Sequence, residues 1–446
     1  MMINIINTKK EEFIIVKKHI IILGMVISLI FSGTNVSGKV IGTETPEKGV
    51  YSVSDLLNSD KEQEASTLAE KWIADGQEFD YPVKPESEEW KVLDTHEKMV
   101  EVCTIPDEVI QQMSTYELLE IVMDYPLLSD LYCYNTYEQG LYALVSEFNG
   151  LRELLKRSDG ISEILEYYEN YKIPKAPATS EKVIEELEDV NDYEFDKKLT
   201  EVIGNNEKST TLQMDFRTIA NVELAEILLV NSSIYVSCDE EQKSKIVDII
   251  SDKYNDKLQS NLFTGKENLV YEAAGEAGNT EIIYEIEKEY KNQVSTYSGT
   301  YVTTPNGSKV DVDIYSYNGD TWAKALDAEI KKEYPDATLI RSSDNRYNCH
   351  SYAWYKQSNG NVYWMDNPSK YISDGSYKKV TNKNNRGSGN RVVWIQNNSY
   401  IHSGYLVSIN SNGSYNIRSK WGSAPLMLHK ANYSPYDAQT REYYER

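Results

Sequence analysis

The chain has 446 residues and a hydrophobic content of 40%, which excludes a disordered or collagen-like chain and predicts more than one ordinary core. A formal charge of −24 excludes nucleic acid as a partner for most of the surface, because phosphates need cations. The charge is uneven: residues 300–446 carry +5 and residues 1–299 carry −29, so at least two units with different surfaces are expected.

The chain begins with Lys9, Lys10, Lys17 and Lys18, followed by an apolar run over 20–31 that is short for a membrane span. Small residues at Val36-Ser37-Gly38 complete the pattern of a signal peptide over 1–38. This predicts a secreted or cell-surface protein that meets a membrane only through that segment, if it stays uncleaved. No cysteine follows the apolar run, which argues against a lipid anchor. Residues 39–104 form a polar lead-in with one helix expected near 65–75.

Residues 105–293 read as a helical domain. Ser114-Thr115-Tyr116-Glu117 has capping-box spacing before Leu118, Leu119, Ile121 and Val122. Asn135-Thr136-Tyr137-Glu138 repeats the signal before Leu141, Leu144, Val145 and Phe148. Asn149-Gly150 ends that helix, and 151–156 begins the next. Pro174, Pro177 and Ser180 mark a linker. Further helical patterns cover 181–203, 216–230, 239–258 and 278–293. No repeat of fixed period is present. The short connections predict a bundle or antiparallel pairs.

The texture changes near residue 295. Pro305-Asn306-Gly307 between two alternating runs predicts a hairpin. A helix follows over 322–334 and another over 349–357. Strands are expected over 391–396, 402–409 and 414–420, the last two joined through Asn410-Ser411-Asn412-Gly413. Residues 300–446 therefore read as an α+β unit, a helix followed by an antiparallel sheet.

One constellation carries chemistry. Cys349 stands where a helix begins, with Asn348 as its cap, and His402 begins a strand beside the small residues Ser403 and Gly404. A helix start and an imidazolium are the two devices that turn a thiol into a nucleophile. The other cysteines, Cys103, Cys133 and Cys238, are too few for a disulfide framework, although one bridge among them is open. The competing reading is structural, since free cysteine is among the most buried residue types. His350 reads as structural or substrate-facing, and His96 is isolated in sequence. Cys349, His350, His402 and His429 lack the spacing of a zinc site, so no metal is expected, and no cofactor. The 35 Tyr against 7 Phe imply amphipathic aromatics and no particular ligand.

Cys349-His350-Ser351-Tyr352-Ala353-Trp354-Tyr355 and His402-Ser403-Gly404-Tyr405-Leu406-Val407 resemble the nucleophile helix and histidine strand of papain-like hydrolases of the NlpC and CHAP type. A closer resemblance is to a group of exported bacterial proteins of unknown substrate. They share Tyr347 to Trp354, His402-Ser403-Gly404, Ser419-Lys420-Trp421-Gly422, and His429 followed by Pro435-Tyr436. The likeness covers about 300–440, and 105–172 more loosely. It implies a papain-like domain over 300–446, with a helix packed on an antiparallel sheet. It further implies a cysteine amidase or endopeptidase acting on an amide bond, with peptidoglycan stem peptides as the default substrate. Cys349 would be the nucleophile and His402 the base. The matching strand has Asn416-Ile417-Arg418-Ser419-Lys420 where CHAP enzymes carry an acid, which leaves His429 to orient His402. Ser419 and Asn416 are weaker candidates. The backbone N–H groups of Cys349 and Tyr347 would form the oxyanion hole, and Trp421 would line the site or shield the histidine contact. The alternative is a non-catalytic surface or binding protein on a degenerate papain-like scaffold, which the missing acid and the acidic helical region favour.

Overall fold

The computed structural model describes residues 53–58, 79–173, 216–258, 260, 269–289, 298–436 and 440–446. The expected signal peptide and the helices expected near 65–75 and over 181–203 lie outside these residues. Among the described residues, no helix is long and apolar enough to cross a membrane.

The chain is α+β. Its longer helices are α1 (Thr115–Met123), α2 (Tyr137–Glu147), α3 (Asn149–Lys156), α4 (Gly160–Asn170), α5 (Phe216–Val230), α6 (Glu240–Leu258), α7 (Leu269–Glu276), α8 (Thr280–Glu289) and α9 (Asp320–Glu333). The capping box at α1 is present in full: Ser114 Oγ accepts from the Glu117 N–H at 3.2 Å, and Glu117 accepts from the Ser114 N–H at 2.7 Å. At α2 the cap is one residue later than the sequence suggests. Thr136 Oγ1 accepts from the Gln139 N–H at 3.1 Å, and the side chain of Asn135 turns elsewhere. Asn149 opens α3 and clamps a distant strand of backbone, since its side chain both donates to and accepts from Ile105.

The strands are β1 (Ser298–Thr303), β2 (Lys309–Ile314), β3 (Thr338–Arg341), β4 (Lys378–Lys379), β5 (Arg391–Gln396), β6 (Ser399–Ile409), β7 (Tyr415–Lys420), β8 (Leu426–Lys430) and β9 (Thr440–Glu445). β1 and β2 form a separate hairpin. The other seven make one antiparallel sheet in the order β3-β8-β7-β6-β5-β9-β4, so β6 is central. Both hairpin signals are realised with glycine at positive φ: Gly307 at 89° and Gly413 at 82°.

The sheet has a different cover on each face. Val392 and Trp394 of β5 join the main core, which also holds the helices. Val393, between them, joins a smaller cluster with Ala353, Trp354, Met365 and Tyr444. The main core runs without a break from Val53 to Tyr443, so helices and sheet share it. Trp90, Trp322, Trp394 and Trp421 are fully buried. Each removes apolar area on the order of 4–6 kcal/mol of gross transfer energy before chain entropy is counted. Tyrosines knit the layers with their hydroxyls: Tyr81 donates to the Ile121 carbonyl, Tyr132 to Glu223 and Tyr334 to Asp130. Arg217 of α5 reaches the carbonyls of Tyr125 and Pro126 and the Glu329 carboxylate of α9.

Candidate thiol site

Cys349 opens a short helical stretch laid across the sheet. Asn348 caps it as its residue type predicts: Oδ1 accepts from the Ser351 N–H at 3.1 Å and from the Met365 N–H at 3.2 Å. Its amide group donates to the Met365 carbonyl at 2.8 Å and to Asn135 Oδ1 at 3.0 Å. All four hydrogen-bonding positions of this side chain are filled, which fixes its orientation. The stretch then widens, with the Lys356 N–H reaching back five residues to the Ser351 carbonyl at 3.0 Å.

The thiol is buried and its side-chain partner is Asn135 Oδ1 at 3.3 Å. Burial pushes the thiol up to about 12, against hydrogen bonds from the backbone of Ser403 and His350. Cys103, Cys133 and Cys238 are also free, buried thiols, so the bridge left open among them is not formed.

Alternation along β6 decides which histidine meets the helical stretch. Ser403 pairs with Val393 and faces the smaller cluster, whereas His402 pairs with Trp394 and faces the main core. The imidazole that bonds the Ser403 side chain is His350, while the Cys349 sulfur lies against the backbone of Ser403 itself. Trp354 Nε1 donates to Ser403 Oγ at 2.9 Å, Ser403 bonds His350 Nδ1 at 2.7 Å, and His350 Nε2 meets the Tyr400 carbonyl at 3.2 Å. An indole only donates and a carbonyl only accepts, so His350 carries its proton on Nε2. A second relay of the same kind runs on the neighbouring strands. Trp421 Nε1 donates to Ser419 Oγ at 3.1 Å, Ser419 bonds His429 Nε2 at 2.7 Å, and His429 Nδ1 donates to the Lys430 carbonyl at 2.8 Å. His429 therefore spends both nitrogens without touching His402.

His402 is fully buried and neither of its nitrogens has a hydrogen-bond partner. Its ring stacks on Tyr436 at 3.6 Å and meets the edge of Trp394 at 4.8 Å. Burial holds its pKa well below the ordinary value, with the nearby His429 and His350 adding to the effect. Cys349 and His402 make no hydrogen bond to each other. Trp421 packs on Tyr334, His429 and Tyr436. Tyr347 is buried, with the Lys420 ammonium 5.0 Å from its ring centre. Asn416, the weaker orienting candidate, bonds Ser408 and Asn410 instead.

Residues 132–136, which carry no sequence signal of a site, also contribute to it. Ser423 N–H donates to the Tyr132 carbonyl at 2.9 Å, Tyr436 hydroxyl to the Cys133 carbonyl at 2.5 Å, and Tyr134 hydroxyl to the Pro435 carbonyl. Trp364 Nε1 donates to the Asn135 carbonyl at 3.1 Å, and Asn135 Nδ2 to the Ile401 carbonyl at 3.4 Å. Gly422, at φ 48°, lies against this segment. Lys420 was also missed as a participant: it is fully buried, bonds the carbonyls of Gly422 and Ala424, and is lowered to about 7 by burial.

His96, isolated in sequence, is not isolated in space. It bonds Asp130 at 3.0 Å and lies 3.9 Å from Glu147, a grouping of metal-ligand types. The second Asp130 oxygen accepts from Tyr334 at 2.6 Å, an ordinary buried hydrogen-bond network.

The buried histidines give the fold an acid limit. His350 is lowered to about 3 and His429 to about 4 by burial, against an ordinary value of 6.5. As pH falls below 6.5 the unfolded chain gains these protons first, so their contribution is full above 6.5 and lost toward about 4 and about 3. Each histidine costs about 1.4 kcal/mol per pH unit in that window. The urea midpoint is expected to fall steadily from pH 6.5 to 4.5, and less steeply in His429→Gln. An identical slope in that variant would contradict the assignment.

Comparison with known protein families, curated proteins and solved structures finds no match for this chain.

Proposed function

We propose that the chain is an exported thiol hydrolase of the papain-like class, acting on an amide bond, with Cys349 as nucleophile and His402 as base. The observation that carries this reading is the contrast among three buried histidines. His350 and His429 have both nitrogens engaged, whereas His402 has neither, although it is fully buried. An unsatisfied buried ring costs stability, and such costs concentrate at functional sites. In the chemistry proposed, His402 accepts the thiol proton, the sulfur bonds the carbonyl carbon, and the proton passes to the leaving amine. Water then cleaves the thioester. Peptidoglycan stem peptides are the default substrate, on the resemblance of the motifs.

As folded, the site is latent. A thiol held near 12 and a depressed imidazole keep the proton on sulfur, so opening must admit substrate before transfer. A second reading, a non-catalytic binding protein, is favoured by the Cys349 contact to Asn135 in place of His402. Hydrolysis of an activated small amide and of purified cell wall, by the intact chain and by Cys349→Ala, separates the two. The expected result is complete loss of turnover in the variant. Turnover that survives the substitution defeats the hydrolase reading.

A further inference from the structure

The side-chain carboxamide of Asn135 is recognised at both ends by groups of the thiol site. Its oxygen accepts from Asn348 Nδ2 at 3.0 Å and from the Cys349 thiol at 3.3 Å, and its nitrogen donates to the Ile401 carbonyl at 3.4 Å. Asn348 and Cys349 belong to the helical stretch, and Ile401 precedes His402 on β6. Asn135 belongs to neither; it enters from the connection before α2. The donor to the oxygen is preset, because Asn348 is locked by the backbone of Ser351 and Met365. These three groups distinguish a carboxamide from a carboxylate. Ile401 offers an acceptor that only an N–H can satisfy, and a carboxylate there would leave that carbonyl unpaired in a buried site.

We propose that Asn348, Cys349 and the Ile401 carbonyl form a subsite for a primary carboxamide, and that Asn135 fills it as an internal mimic. Resting on the hydrolase reading, this narrows the substrate to a terminal –CO–NH2 group, as in an asparagine, glutamine or amidated side chain. The balanced reaction is then a deamidation. The sulfur bonds the carbonyl carbon, the C–N bond breaks, and nitrogen leaves as ammonia with the proton held by His402. Water hydrolyses the thioester to a carboxylate and restores the thiol. Substrate enters only when residues 132–136 withdraw, so the segment sets access to the thiol.

Asn135→Gly in the full chain deletes the mimic, and acetamide replaces the lost group atom for atom. Alkylation of Cys349 by iodoacetamide, read by mass spectrometry of its peptide, is expected to be roughly tenfold faster or more in the variant than in the parent. Acetamide is expected to slow that labelling and to raise the melting temperature of the variant, whereas acetate does neither. Unchanged labelling of a folded variant would overturn the proposal, as would equal protection by acetamide and acetate. Asn135→Ser carries the same comparison if the glycine variant does not fold. The readout needs a thiol and not turnover. Protection by acetamide with no hydrolysis therefore supports the subsite while removing the hydrolase reading.

Discussion

Gly422→Ala is expected to destabilise the protein by about 4 kcal/mol or more, the range reached when core backbone must move. A Cβ on Gly422 would lie 2.3 Å from the Tyr134 carbonyl oxygen, 2.5 Å from that of Tyr132 and 2.6 Å from the Cys133 carbonyl carbon. All three are backbone atoms, so no side-chain rotation relieves the overlap. The positive φ of 48° adds a left-handed penalty of roughly 1–2 kcal/mol. Gly413→Ala is the matched control: its φ is 82°, but nothing lies within 4 Å of an added Cβ. It carries the backbone penalty alone. Urea unfolding of the two variants checks the difference, and similar losses would show that the contact with residues 132–136 is not tight. Because the clash falls on that segment, Gly422→Ala is also expected to expose Cys349 to alkylation.

Lys257→Met is expected to cost about 3–5 kcal/mol by stranding a buried carboxylate. Lys257 of α6 bonds both oxygens of Glu226 of α5, at 2.7 and 2.9 Å, and both side chains are at most 2% exposed. Tyr168 of α4 donates to the same carboxylate, so three helices meet on this pair. Adding Glu226→Gln to Lys257→Met is expected to recover most of the loss, since the uncompensated charge is gone while an acceptor for Tyr168 remains. Chemical denaturation of the two single variants and the double variant gives the coupling. Additive losses would mean that the pair is not an electrostatic unit.

The parts of the fold that were legible in the sequence have local causes. The turns at Gly307 and Gly413 need a backbone only glycine adopts freely, and β5 matches the expected strand 391–396 because Val392, Val393, Trp394 and Ile395 form a short apolar run of strand-favouring residues packed on both faces. β9 went unseen because Thr440-Arg441-Glu442-Tyr443-Tyr444-Glu445 is mostly polar. It is a strand because it lies between β5 and β4, with Tyr443 and Tyr444 buried on opposite faces. The side of the sheet that His402 faces was also out of reach. Alternation puts His402 and Ser403 on opposite faces, but which face meets the helical stretch is set by contacts from residues distant in sequence, such as Trp354 on Ser403. Asn135 was hidden for another reason. Asn and Thr both cap helices, and only one cap was needed at α2; Thr136 took it. Two capping residues in succession were the one local sign that Asn135 was free for other work.

The contact between Asn135 and Cys349 joins positions 214 residues apart. Loop closure over such a distance is among the slower events of folding, because chain entropy opposes it until much of the core is assembled. The local hairpins can close long before. Cys349 is thus expected to stay reactive through most of refolding and to become shielded only when the helical part docks on the sheet. Pulse alkylation at intervals after dilution from urea would turn this one thiol into a clock for the last step of assembly.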